Sequence, residues 1–178
     1  MLNAKTSSLN WLRWLTISAI VLAVDQATKL AVTANFQLGE GKAITSFFNL
    51  VLAYNKGAGF SFLADQGGWQ RYFFIVLTTA ISAGLLWLLK STHGGSQGNK
   101  WLCTALALVL GGAFGNLIDR IAYGHVIDFI QWYIPNSTLP PWPTFNIADS
   151  AICIGAVMMV IDSFRKQPKA EPAAELKS

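Results

Sequence analysis

The stretch Tyr72–Leu89 reads YFFIVLTTAISAGLLWLL and carries no charge. It is close to the ~20 residues that an α-helix needs to cross the hydrocarbon core of a bilayer. It also lacks the polar stripe of an amphipathic helix on a soluble protein. Three further stretches read the same way: Trp11–Val32, Trp101–Ile118 and Phe145–Phe164. Helices are the expected form, because lipid offers no partner to an open backbone N–H or C=O. The predicted fold is therefore mainly α and membrane-embedded, a four-helix transmembrane bundle.

Composition agrees. Of 178 residues, 53% are hydrophobic and only 12% are charged, against about 25% charged in a soluble domain. That length suits one integral membrane domain over residues 1–166. The tail at 167–178 is dominated by Ala, Glu, Lys and Pro and is expected to be a disordered cytoplasmic end. The formal net charge is +4, but where the charge sits matters more than its sum. Lys5, Arg13, Lys90, Lys100, Arg165, Lys166, Lys169 and Lys177 all fall on one side of the proposed spans. The positive-inside rule puts that side, with both termini, in the cytoplasm. The segments Thr33–Arg71 and Asp119–Thr144 then face outward. Trp11, Trp14, Trp87 and Trp101 mark the inner boundary, and Trp69, Trp132 and Trp142 the outer one. The first span also has the basic start and apolar run of a cleavable leader. Asp25 and Lys29 interrupt the approach to the Val32–Ala34 pattern, which favours a retained helix. Cys103 and Cys153 lie at different depths, so a disulfide is not expected, and both read as small packing residues.

Four acids reach the outer level: Asp25, Asp119, Asp128 and Asp149. A carboxylate at membrane depth is expensive and marks a functional site by default. Their neighbours divide them. Asp25 and Lys29 are four apart on one helix face, a spacing that suits an ion pair, so Asp25 has a structural reading beside a chemical one. Asp119 is followed by Arg120 and reads as half of a loop salt bridge. Asp128, in Val126-Ile127-Asp128-Phe129-Ile130, has no adjacent base, and neither has Asp149, beside Ile147, Ala148 and Ala151. Burial without a cation raises a carboxyl pKa, and a second carboxylate raises it further. Two such acids can share one proton and supply an acid and a base from identical side chains. Asp162, beside Arg165 at the inner end, reads as a solvated terminal charge.

Other residues gather round these acids. Gly111-Gly112-Ala113-Phe114-Gly115-Asn116 closes the third span, where glycines let helices or a peptide backbone come close. Asn116 and Asn146 can give amide hydrogen bonds to an extended peptide. Ile44–Tyr54 has the aromatic and branched content of a strand. Asn55-Lys56-Gly57-Ala58-Gly59 supplies a turn, and Phe60–Leu63 resumes the apolar pattern, so a small β-sheet is expected in the first outer loop. A metal held by His125, Asp128 and Asp149 lacks the His-x-x-x-His spacing that would support it. A Ser–Lys peptidase built on Ser61 and Lys29 would need a desolvated lysine beside the serine. A proton-relaying transporter using Asp25 and Asp149, and a non-catalytic assembly protein, remain rivals from other classes.

Five blocks stand in order along the chain: Asp25-Gln26-Ala27-Thr28-Lys29, Asn55-Lys56-Gly57-Ala58-Gly59-Phe60-Ser61, Gly111–Arg120, Val126-Ile127-Asp128-Phe129 and Phe145-Asn146-Ile147-Ala148-Asp149-Ser150. Together they resemble the lipoprotein signal peptidases, the type II signal peptidases of bacteria. The resemblance implies an aspartic endopeptidase of the inner membrane, working near the periplasmic face. Its substrate would be a prolipoprotein already carrying diacylglycerol on its lipobox cysteine, cut just before that cysteine. It implies that Asp128 and Asp149 are the catalytic pair. Asp25, Asn55, Asn116, Asp119, Arg120 and Asn146 would hold substrate or the site, and Lys29 and Gly57 fall in the same motifs. Neither metal nor cofactor is expected. The expected partners are the lipidated substrates and membrane lipid, with no nucleic acid, and the expected state is a monomer. Two departures concern loop shape: Gly59 stands where the family more often has alanine, and Pro135–Pro143 is somewhat long.

Overall fold

The four apolar stretches form four long helices in a computed structural model that describes residues 10–57, 67–93 and 99–165. Helix α1 (Leu15–Asn35) follows a short 3-10 turn at Asn10–Trp14. Helix α2 is Trp69–His93, α3 is Lys100–Ala122 and α4 is Ile147–Arg165. Each is long and apolar enough to cross a membrane. The ends differ from the predicted spans by a few residues, and two differences matter. Helix α3 runs on through Asp119 and Arg120, so both belong to its last turns rather than to the loop beyond. Helix α4 begins at Ile147, so Phe145 and Asn146 precede it and Asp149 sits in its first turn.

Helix α3 is the central element. It is 61% buried over its apolar window, against 17–22% for the other three, and α1, α2 and α4 all pack on it. Glycine makes this possible. A Cβ on Gly111 would run into the backbone of Ser18 in α1, and one on Gly112 into the carbonyl of Ala148 in α4. Without a hydrophobic drive between helices in lipid, such close backbone approach supplies the packing. The outward faces of the outer helices are apolar and exposed, as at Ile20, Val76, Trp87 and Val157, which suits a lipid surround.

At one end of the bundle lies an antiparallel sheet in the order β1 (Gly41–Ala43), β2 (Phe48–Asn55) and β3 (Val126–Trp132). The sheet expected in the first loop is present, and its third strand comes from the connection between α3 and α4. Asn55 pairs with Val126 and Ala53 with Asp128, beyond an irregularity between Leu50 and Ala53. Phe145 bridges to Ile130 through N–H···O bonds of 2.8 and 3.0 Å. That bridge brings the start of α4 beside β3. Val32, Leu52, Ile127 and Phe129 form the apolar cluster that joins the sheet to α1. At the opposite end Trp11, Trp14 and Leu15 close on Leu89, Cys103 and Leu106.

Two local expectations are overturned. Asp162 is buried and accepts a 2.6 Å hydrogen bond from the side chain of Asn99, so it is not a solvated terminal charge. Cys103 is a buried free thiol, whereas the free thiol of Cys153 is exposed rather than packed. The expectations for Phe60–Leu63, Ser61, Gly59 and the tail at 167–178 fall outside the described residues.

Candidate active site

The described candidate residues collect at the sheet end of the bundle, most of them in two adjoining groups. The first is ionic. Lys29 of α1 lies 2.8 Å from Asp25, one turn earlier on the same helix, and 2.8 Å from Asp119 of α3. All three are buried, at 1% exposure or less. A buried charge must be paired and its remaining valences filled, and here they are. Asp25 also accepts the backbone N–H of Ala148 at the start of α4, where the helix presents free N–H groups. Asp119 accepts the backbone N–H of Ile127 at 3.1 Å, tying α3 to β3. The expected Asp119–Arg120 bridge is absent. Neighbours in a helix point to different faces, and Arg120 reaches instead for the carbonyl of Gly57 at 2.9 Å.

The second group holds Asp128 and Asp149, and its hydrogen bonds come from amides. Asn146 joins the two acids. Its side-chain N–H donates to Asp128 at 2.7 Å, its backbone N–H donates to Asp149 at 3.3 Å, and its side-chain oxygen accepts the Asp149 backbone N–H at 2.9 Å. The last two bonds make Asn146-Ile147-Ala148-Asp149 a reciprocal cap on α4, with Asp149 as its third-position acid. Asn116 donates to the other oxygen of Asp149 at 2.7 Å. Asn55 donates to the other oxygen of Asp128 at 3.1 Å, and its own oxygen accepts the N–H of Gly57. Among the described residues no lysine or arginine nitrogen lies within ion-pair distance of either acid. Asp128, on the strand, is 1% exposed. Burial pushes its carboxyl up to about 7, and the charge of Asp149 pushes the same way against the bonds from Asn55 and Asn146. An acid held there carries its proton at neutral pH for a useful fraction of the time.

A cavity of about 740 Å³ opens on Asp149, while Asp128 lies behind its lining. Asn55, Asn116, Arg120 and Asp149 form its polar side, and Trp132, Trp142, Phe145, Ile152 and Ile154 are on its apolar side. Lys29 and Asp25 do not line it. His125 stacks on Tyr54 with ring centres 4.0 Å apart.

Residues 17–165 match the family described as signal peptidase (SPase) II. The chain belongs to this family. A lipoprotein signal peptidase of Janthinobacterium sp. (strain Marseille) is 52% identical over 164 residues, covering 92% of this chain and 95% of the relative. One of Aeromonas hydrophila is 51% identical over 160 residues, covering 89% and 92%. A bacterial membrane enzyme solved by the in meso method at 2.3 Å superposes with a TM-score of 0.73 at 30% identity, over 90% of this chain and 94% of the other. Both groups of acids lie within the matched signal peptidase II segment.

Two residues of the site were not singled out in the sequence. The amide of Gln26 donates to Asp119 at 2.9 Å and to Asp25 at 3.2 Å; its only signal was its place beside Asp25. Arg71, at the start of α2, donates to the carbonyls of Arg120 and Ile121 at 2.9 and 2.7 Å, closing the free end of α3. A lone arginine at the mouth of a span gives no such signal.

Proposed function

We propose that this protein is a lipoprotein signal peptidase of the aspartic type, which removes the signal peptide from diacylglyceryl prolipoproteins by cutting just before the lipidated cysteine. Asp128 and Asp149 are its catalytic pair. The observation that carries the reading is the bridge through Asn146, which ties the buried, amide-bonded carboxyl of Asp128 to that of Asp149 at the wall of a largely apolar cavity. In the reaction one carboxylate takes a proton from water as the oxygen attacks the scissile carbonyl. The other, protonated, gives its proton to the leaving amine nitrogen as the C–N bond breaks. Asn55, Asn116 and Asn146 orient the two carboxyls. Arg120 adds a cation to the polar wall of the cavity.

The setting suits such a substrate. The apolar side of the cavity includes Ile152 and Ile154 of α4, and Ile154 is exposed, so acyl chains and a signal helix can reach Asp149 from within the bilayer. Arg13, Lys90, Lys100 and Arg165 lie at the opposite ends of the helices from the sheet. Under the positive-inside rule this distribution supports a reading with the termini in the cytoplasm and the acids near the periplasmic face of the inner membrane. One domain over residues 1–166, acting as a monomer, contains every group the reaction uses.

Purified protein in lipid or detergent tests the proposal directly. It is given a lipidated and an unlipidated prolipoprotein, and the new amino terminus is read by mass spectrometry. Cleavage of the lipidated form alone, immediately before the modified cysteine so that this cysteine becomes the new amino terminus, is the expected result. An uncut lipidated substrate, or a cut elsewhere in the chain, would contradict it.

A further inference from the structure

Lys29 touches neither acid of the pair and does not line the cavity, yet hydrogen bonds link its ammonium to Asp149 through a single side chain, that of Asn116. An ammonium has three donors and no acceptor. Those of Lys29 meet Asp25 at 2.8 Å, Asp119 at 2.8 Å and the side-chain oxygen of Asn116 at 3.2 Å. The same Asn116 oxygen accepts the amide N–H of Asn146 at 3.2 Å. Two donors on that oxygen leave Asn116 a single orientation, with its NH₂ turned to Asp149 at 2.7 Å. Flipped, the amide would set its NH₂ against an ammonium and its carbonyl oxygen against a carboxylate.

We propose that Lys29 is a positioning residue: by fixing the Asn116 amide it keeps an N–H donor on Asp149 and so holds Asp149 as the carboxylate that accepts the proton from water. Asp128 then holds the shared proton. The division of labour rests on the catalytic pair proposed above. The charged and titratable groups that act on Asp149 are Asp25 and Lys29 from α1, Arg120 from α3 and Asp128 from β3, with Asp119 of α3 behind Lys29. Of the cations, Lys29 is the one hydrogen-bonded to the amide that bonds Asp149; Arg120 bonds the backbone carbonyl of Asn116 and that of Gly57.

Two variants test this. Asp25→Asn with Lys29→Gln removes one charge of each sign, so the Asp25–Lys29–Asp119 trio keeps a net charge of −1 (from −2 + 1 to −1 + 0). Asn116→Leu leaves the ion pairs intact and removes the amide. For each, folding is checked by thermal melting, and kcat and KM for a lipidated prolipoprotein are measured across pH. The expected result is an unchanged KM and an acid limb of kcat moved up by about one pH unit, so that kcat falls most at low pH. A folded variant with the wild-type pH profile, or with kcat lowered equally at every pH, would overturn the proposal and leave Lys29 a structural ion. If the double variant does not fold, Asn116→Leu decides alone. Asp149→Asn is run beside them. Should it still cut, the catalytic pair itself is wrong; should it be inactive while the acid limb stays put, only the role of Lys29 is lost.

Discussion

Asp25 and Asp119 form one pair of buried acids, Asp128 and Asp149 another. All four are aspartates and all occupy the same end of the bundle, but they meet different partners. The first pair closes on the ammonium of Lys29 and on backbone N–H groups of β3 and α4. The second meets only amides. A cation holds a buried carboxylate in its charged form, whereas amides orient it and leave its proton free to move. Side-chain chemistry alone therefore does not separate support from reaction. Partner chemistry does, and each prediction below presses on that contrast.

The largest effect belongs to the amide-bonded pair. Asp128→Asn and Asp149→Asn are each expected to lower kcat by about 10⁴-fold or more, and the double variant by no more than either single, because residues that act as one unit are not additive. Single-turnover cleavage measures this, and an additive double variant would separate the two acids. Next comes stability in the ionic pair. Asp119→Ala leaves Lys29 buried with half its countercharge and is expected to destabilise the fold by about 3–5 kcal/mol, read as a fall in melting temperature. A variant that melts with the wild type would show the ion pair to be incidental. Asn55→Ala removes one donor from Asp128. A hydrogen bond to a neutral group contributes about 0.5–1.5 kcal/mol, so a loss in kcat of roughly 2- to 10-fold is expected, with little change in melting.

The smallest effect is on the pH dependence of stability. The Asp128 carboxyl is raised from 3.8 to about 7 by folding, so the folded state binds this proton more tightly than the unfolded one. Its contribution is most favourable below pH 3.8 and falls as pH rises from there to about 7. Asp128→Asn should flatten that part of a melting-temperature profile, and an unchanged slope would assign it to other groups. In the active enzyme the same proton is lost as pH passes about 7, so kcat should decline on that side.

Much of this contrast was legible in the sequence. The uncharged run at Tyr72–Leu89 and its three counterparts announced the helices, because a bilayer demands length and apolarity in one stretch. The isolation of Asp128 and Asp149 from adjacent bases already set them apart. The i,i+4 spacing of Asp25 and Lys29 announced their ion pair. Contacts between elements were harder to read. Asp119 takes its cation from α1, some ninety positions away, while the Arg120 beside it turns to Gly57. The third strand arrives from a separate connection, and the Phe145 bridge then sets the start of α4 beside it; no local pattern signals either. Asp162 bonds Asn99, sixty-three positions away at the start of α3. Gln26 stood in plain view beside Asp25, but its value depends on Asp119 lying opposite.

The central claim is that amide-bonded Asp128 does chemistry and does not hold the fold together. The direct measurement is to melt purified Asp128→Asn and, on the same preparation, to assay cleavage of a lipidated prolipoprotein. The account predicts melting at or above the wild-type temperature and no detectable cut. Full cleavage by a folded Asp128→Asn protein would contradict it.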